Sequence, residues 1–176
     1  MRYLLRIVMA IAIWAVSFYT VADQESPYNA AEEIEWQEGQ VTLPAFPEDG
    51  NLVEFPVGSM SKNRFAIDKS GLTIGADGVI RFVLVIKAPG GGTNVTFEGI
   101  HCQERQYKVY AIGHDDHTWS KLRNSEWILI ENKPINRHHA VLNRDVFCPS
   151  GAPIGSVQEG LNALRRVNLP SAGNHD

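Results

Sequence analysis

Apolar and polar residues alternate along much of the chain between residues 51 and 131, and a period of two is typical of strands with one buried face. Residues 79–87, VIRFVLVIK, are almost continuously apolar. They predict a central strand, because a strand that is buried on both faces loses the alternation. Pro56 favours an edge position for the first strand. Strands are predicted at residues 53–57, 65–68, 72–74, 79–87, 93–102, 106–112 and 127–131.

The connections between these strands are short and rich in turn residues, as at residues 75–78 and 88–92. Short connections favour an antiparallel meander, in which each strand pairs with the next. Arg81 lies inside the predicted central strand. We expect it to pair with a carboxylate or to lie at an edge, because an unpaired buried charge is costly.

Two flanking segments complete the predicted fold. Residues 43–47, LPAFP, contain two prolines and predict an extended, partly buried strap. Ser156 and Glu159 have the spacing of a capping box, and the apolar residues that follow share one helical face, which predicts a C-terminal helix. The predicted fold class is α+β, with a mainly antiparallel sheet of five to seven strands, a C-terminal helix, and an N-terminal strap or short helix.

The first residues have the features of an export signal. Arg2 and Arg6 precede an uncharged apolar run at residues 7–18, which is shorter than the roughly 20 residues of a membrane span. Cleavage is expected after Ala22, with Ser17 as an alternative site and an uncleaved anchor as a further alternative. The predicted organisation is a signal peptide at 1–22, an acidic arm at 23–50, a single α+β domain at 51–168 and a flexible tail at 169–176, with no stable membrane span after cleavage.

Charge is distributed unevenly along the chain. Loss of the two arginines in the signal takes the net charge from −4 to −6, so nucleic acid is not an expected partner. Residues 23–50 contain eight acids and no lysine or arginine, whereas residues 119–144 contain five basic residues and two acids. The acidic segment is either a solvated arm or one that docks on a basic face of the chain or on a cationic partner.

Cys102 and Cys148 are the only cysteines of the chain. An even pair in an oxidising compartment predicts one disulfide. A Cys102 nucleophile assisted by His101 is disfavoured, because adjacent residues of a strand point to opposite faces of the sheet.

Several segments spread over most of the mature chain resemble one known family. They are LPAFP, NLVEFPV, NRFAID, GADGVIRFVLV, NVTFEGIHC, YKVYAIG and VFCPSG. In these segments the chain is similar to the cryptic neisserial protein family, a functionally uncharacterised family of exported bacterial proteins. The resemblance implies export and a single bacterial envelope domain, and it brings no catalytic residue to carry over.

Four histidines form the candidate metal site. His114 and His117 flank two carboxylates, and His138 and His139 follow in a predicted loop. Imidazole and carboxylate groups are ligands for zinc or copper, so a metal-binding protein or metal-dependent hydrolase is the alternative function. The spacing differs from the helical H-E-x-x-H motif, and a polar hairpin tip with a basic loop is the favoured interpretation. No cofactor is predicted.

The segment WSKLRNSEW contains the candidate binding surface. Tryptophan and arginine often anchor interfaces, and basic groups beside aromatic rings suit sugars or an anionic glycan. Alternatively, both indoles cap the core while the basic side chains face water. The candidate surface comprises Trp119, Lys121, Arg123, Asn124 and Trp127.

The motifs do not define a reaction, and no G-x-S-x-G elbow is present. The sequence therefore favours a non-catalytic interaction or structural module of the bacterial cell envelope, located in the periplasm. Its expected partner is an envelope protein or an anionic glycan.

Overall fold

The computed structural model describes residues 35–168. The predicted signal peptide, residues 23–34 of the predicted acidic arm and the predicted tail lie outside the described residues. Within residues 35–168, no helix is long and apolar enough to cross a membrane.

The described residues form one seven-stranded antiparallel sheet, and the helices follow the last strand in the chain. Strands β1 to β6 pair in chain order, and β7 also pairs with β5, so the predicted meander and the α+β class are confirmed. β1, which precedes Pro56, lies at an edge. The strands are β1 (Leu52–Phe55), β2 (Arg64–Ile74), β3 (Val79–Lys87), β4 (Thr93–His101), β5 (Gln106–Gly113), β6 (Trp119–Lys121) and β7 (Ile128–Leu129).

β3 is the predicted central strand, and every residue from Val79 to Val85 is buried. Both faces of the sheet are covered at this strand, which explains why its sequence lacks alternation. Ile80, Phe82 and Leu84 belong to the larger core cluster, whereas Val83 and Val85 belong to a second, smaller cluster on the other face.

The larger core lies between the sheet and the C-terminal helices. These are α1 (Arg137–Val141), which continues into a π-helical turn (Leu142–Phe147), and α2 (Val157–Val167). Phe82 of β3 packs on Phe147 of this turn with ring centroids 5.1 Å apart. Ser156 caps α2 as predicted, because its hydroxyl accepts the backbone N–H of Glu159 at 3.2 Å, whereas the Glu159 carboxylate accepts the N–H of Gly155 instead of that of Ser156.

The disulfide between Cys102 and Cys148 is confirmed, with Cα atoms 5.5 Å apart. Cys102 directly follows β4, and Cys148 directly follows the π-helical turn. The bond therefore joins the sheet to the helical layer across the larger core. A covalent link between these layers is consistent with an extracytoplasmic location.

An N-terminal strap covers the other face of the sheet, and we use this name for residues 36–47. It is extended, as its prolines predicted. Val41, Leu43 and Phe46 pack against the smaller cluster, which includes Val95 and Phe97 of β4. The strap thus covers part of the face of the sheet that the C-terminal helices do not cover.

Three predicted elements need correction. The two short strands predicted at 65–68 and 72–74 are one strand, β2, whose register shifts between Asp68 and Thr73. The polar residues between them form a bulge instead of a turn, and Asp68 is fully buried beside Ser70. The strand predicted at 127–131 is only the two-residue β7, and β6 at Trp119–Lys121 was not predicted.

The loop predicted around His138 and His139 is also wrong, because both residues lie in α1 and both are buried. Pro134 opens a preceding 3-10 turn, Pro134–Asn136, that leads into this helix. The helix is held by packing more than by its own sequence pattern, since five residues are too few for a stable isolated helix. Its apolar residues Ala140 and Val141 pack against the larger core.

Candidate functional site

A groove of about 320 Å³ lies between the strap and strands β5 and β6. We call it the strap groove. Val41 and Leu43 of the strap and Leu122 supply apolar side chains, whereas the rest of the lining is mainly charged or polar. The charged and hydroxyl-bearing residues that line it are Glu38, Lys108, Tyr110, Lys121, Arg123 and Ser125.

Glu38 fixes the strap to the sheet beside the groove. The hydroxyl of Tyr110 donates to Oε1 of Glu38 at 2.7 Å, and Nζ of Lys108 donates to Oε2 at 2.7 Å. Burial and the hydrogen bond to Glu38 raise the pKa of Tyr110 far above its usual value. Gly99 makes room for Tyr110, because a Cβ atom at this position would lie 2.6 Å from the tyrosine hydroxyl. Glu38 thereby neutralises Lys108 and holds Tyr110 as a donor.

Arg81 is paired with a carboxylate, as the sequence predicted. Its Nη2 and Nη1 atoms donate to the two carboxylate oxygens of Asp77 at 2.6 and 3.1 Å. Burial would raise the pKa of Asp77, but hydrogen bonds from Arg81 and from the backbone of Gly39 and Val79 outweigh it and lower the pKa to about 2. The Gly39 N–H lies 2.7 Å from Asp77, so this buried ion pair also anchors the strap.

Both tryptophans of the candidate surface are engaged within the protein. The indole N–H of Trp119 donates to the carbonyl of Pro44 at 3.1 Å, and its ring packs on Phe46. Trp127 packs on Trp36 and on His101, with ring centroids 5.9 Å away in each case. The two indoles therefore support the two ends of the strap, and neither lines the strap groove.

Lys121 and Arg123 are the candidate residues that the fold brings to the groove. Both are exposed, and among residues 35–168 no carboxylate oxygen lies within 4.0 Å of either cationic group. Asn124 is exposed and does not line the groove. Two of the five predicted surface residues thus form a basic rim, and the other three lie outside the groove.

The four candidate metal ligands are not brought together. His114 accepts or donates a hydrogen bond with Ser120 at 2.7 Å at the β5–β6 hairpin, and His117 stacks on Phe46 of the strap. His138 and His139 lie against the larger core, on the other face of the sheet. In the described part of the chain, no group of three or more His, Cys, Asp or Glu side chains is arranged to hold a metal ion.

His114 and His117 line a second groove, of about 780 Å³, beyond the Phe46 end of the strap. Its one lysine, Lys87, forms an ion pair with Asp49 at 2.8 Å. Among the described residues, the lysine of this second groove is thus paired with an acid, whereas Lys121 and Arg123 of the strap groove are not.

A buried pair of ionisable groups was missed by sequence reasoning. Oε2 of Glu98 lies 2.7 Å from Nε2 of His139, and Thr96 donates to the other carboxylate oxygen at 2.6 Å. Burial would raise the pKa of Glu98, but the hydrogen bond from His139 outweighs it and the pKa is lowered. Tyr107 stacks on His139 at 3.7 Å. The sequence did contain a signal for this pair. Glu98 alternates with Thr96 and Ile100 along β4, which places an acid on the same face of the sheet as the buried Ile100.

The neighbouring His138 gives the fold a testable pH dependence. Burial, with a smaller contribution from His139, lowers the pKa of His138 from 6.5 to about 4. Between these values the unfolded chain binds more protons, so the free energy of unfolding falls as the pH drops from 6.5 toward 4. We expect a loss of about 2 kcal/mol between pH 7 and pH 5. Urea denaturation at both pH values measures it.

The His138→Gln variant removes this titration while keeping a polar side chain of similar reach. We expect its free energy of unfolding to change less than the wild-type value between pH 7 and pH 5, whatever its absolute stability. Protonation of Glu98 adds a further loss, but only below about pH 4.5, because its folded-state pKa is lowered. A His138→Gln variant with the full wild-type pH dependence would contradict the assignment.

The fold and the site together define a small disulfide-linked α+β domain with a strapped sheet and a basic surface groove. The chain belongs to the CNP1-like family, whose model matches residues 31–165. It is similar to cryptic neisserial protein 1 of Neisseria gonorrhoeae (strain ATCC 700825 / FA 1090), with 30% identity over 178 aligned positions that cover 87% of this chain and 84% of that relative. No solved structure matches the chain.

Proposed function

We propose that this protein is a non-catalytic interaction module of the bacterial cell envelope that binds its partner through the strap groove. The observation that carries the proposal is the basic rim, in which Lys121 and Arg123 lie beside apolar side chains without a carboxylate partner among residues 35–168. Cationic groups beside partly exposed apolar side chains suit a partner of complementary charge and shape.

Two features of the chain support the envelope as the place of action. The first 22 residues have the charge and length pattern of a signal peptide. The disulfide between Cys102 and Cys148 forms and persists in an oxidising compartment such as the periplasm. These two observations are independent of each other, since one is a local sequence pattern and the other a tertiary contact.

The chemistry of the groove favours binding over catalysis. Its two side-chain hydroxyls are both engaged, that of Ser125 with the carbonyl of Val109 and that of Tyr110 with Glu38. Ser125 donates to a backbone carbonyl and not to a base, and the raised pKa of Tyr110 keeps its hydroxyl protonated in the bond to Glu38, so neither hydroxyl is an activated nucleophile. Glu98 and His139, which do form a hydrogen-bonded pair, have side chains only 4% and 5% exposed, so a substrate cannot reach them.

Affinity capture from envelope extracts tests the proposal. The disulfide-bonded protein is immobilised as wild type, as a Lys121→Gln/Arg123→Gln variant and as a Lys62→Gln/Arg166→Gln variant. The last removes the same two charges from exposed positions outside the groove and is the matched control. We expect quantitative mass spectrometry to find a partner that is retained by wild type and control and reduced about tenfold or more by the groove variant. Equal retention by all three proteins would contradict the groove as the binding site.

A further inference from the structure

We infer that the strap groove binds an acidic peptide segment, with a carboxylate at Lys121 and Arg123 and a neighbouring apolar side chain on Val41, Leu43 and Leu122. The inference deepens the proposed function and rests on it. It names the chemistry of the partner, a protein segment in which an acidic residue and an apolar residue lie close together.

The expected charge of the ligand follows from the ion pairs of the three cationic side chains that line the groove. Lys108 donates to Glu38 at 2.7 Å and is neutralised by it. Lys121 and Arg123 line the same groove, and neither forms an ion pair with the neighbouring Glu126 or with another acid of the described chain. The groove therefore offers two cationic groups that have no ion-pair partner among residues 35–168, and a carboxylate supplies acceptor oxygens for such groups.

The apolar part of the groove favours a peptide over a glycan. Leu122 is 40% exposed, and Val41 and Leu43 are only partly buried, so an apolar side chain gains contact area there. Sugar recognition commonly uses a free aromatic face. Trp119 is instead packed on Phe46, and Trp127 is packed on Trp36 and His101. Both indoles are engaged, and in the part of the chain that the structure describes no tryptophan lines the groove as a platform for a sugar ring.

The strap itself shows how the sheet holds such a segment. It is an extended chain in which Glu38 is bound by Tyr110 and Lys108 while Val41 and Leu43 pack nearby on the sheet. An acid followed by apolar residues is therefore already a ligand of this surface, supplied from within the chain. We place the partner segment alongside the strap, in the groove that the strap leaves open.

Peptide binding to the purified, disulfide-bonded protein tests this chemistry. The probes are a fluorescein-labelled octapeptide that alternates Glu and Leu, its Gln–Leu counterpart, and a labelled polygalacturonate oligosaccharide as the polyanionic glycan. We expect fluorescence anisotropy to show binding of the Glu–Leu peptide, with affinity at least about tenfold lower for the Gln–Leu peptide and for the Lys121→Gln/Arg123→Gln protein. The Lys62→Gln/Arg166→Gln control should bind as the wild type does.

A separate variant tests the contribution of the apolar side chains of the groove. Leu122→Ser keeps both cations and is expected to weaken binding of the Glu–Leu peptide, whereas it has no such effect if charge alone holds the ligand. Binding of the Glu–Leu peptide should also weaken when sodium chloride is raised to 0.5 M, because exposed ion pairs are screened. Thermal melts of each variant confirm that the fold is intact, since all substituted side chains are exposed.

Three results would overturn the inference. They are equal affinity for the Glu–Leu and Gln–Leu peptides, binding of the oligosaccharide without binding of the Glu–Leu peptide, and no binding of any probe. In each case, an envelope partner whose capture still depends on Lys121 and Arg123 would leave the proposed function standing and reject only the acidic peptide. If, in addition, no envelope partner depends on Lys121 and Arg123 for its capture, the proposed function is rejected as well.

Discussion

Replacement of Arg81 by Met is expected to lower the free energy of unfolding by roughly 3–5 kcal/mol, the usual cost of removing one partner from a buried ion pair. The Arg81 side chain is 7% exposed and that of Asp77 is 4% exposed. Without the guanidinium, the Asp77 carboxylate stays buried and keeps only the backbone N–H donors of Gly39 and Val79. The strap loses part of its anchor at the same time.

Urea denaturation at pH 7 measures the effect, and Arg64→Met is the matched control. Arg64 forms an ion pair with Glu54 on the same sheet, but its side chain is 68% exposed. The control should therefore lose less than about 1 kcal/mol. Replacing Asp77 by Asn in the Arg81→Met protein should restore part of the loss, because a neutral amide is less costly to bury than an unpaired charge. Similar losses for Arg81→Met and Arg64→Met would contradict the assigned role.

Reduction of the disulfide is the second change with a large expected effect. Cys102 and Cys148 are 46 residues apart. In the chain-entropy model, a loop of this length contributes roughly 4 kcal/mol, which is an upper figure because residual structure in the unfolded chain lowers it. For a domain of this size, a loss of that order corresponds to a fall in Tm of roughly 10 °C.

Thermal melts with and without reductant measure this effect, and a Cys102→Ala/Cys148→Ala variant is the control. The variant should melt near the temperature of the reduced wild type and should not respond to reductant. Two free thiols in the protein isolated from cells, or an unchanged Tm on reduction, would contradict the stabilising role of the disulfide.

Several elements of the fold were predictable because the sequence signals for them are local. The apolar run of β3, the capping box of α2 and the prolines of the strap each specify an element without help from the rest of the chain. The break in β2 was misread because the bulge after Asp68 contains the same small polar residues as a turn. The helix at Arg137–Val141 was missed because its stability comes from packing on the core.

The candidate site was predictable only in its residue types. A stretch rich in tryptophan and basic residues pointed to Lys121 and Arg123. The sequence could not show that Glu38, which is 70 residues before Lys108, neutralises that lysine and leaves the other two cations unpaired. It also could not show that Trp119 and Trp127 are engaged by the strap, because both contacts join segments far apart in the chain.

Site-specific photo-crosslinking in the cell that produces the protein tests the strap groove most directly. A photo-reactive amino acid replaces Leu122 inside the groove or, in the control, Ile135, which is 81% exposed and lines a different surface. We predict that the Leu122 position captures a defined envelope protein, that the Ile135 position does not, and that Lys121→Gln/Arg123→Gln abolishes the capture. Capture of the same partner from Ile135 alone, or capture from Leu122 that persists without the two cations, would contradict the account.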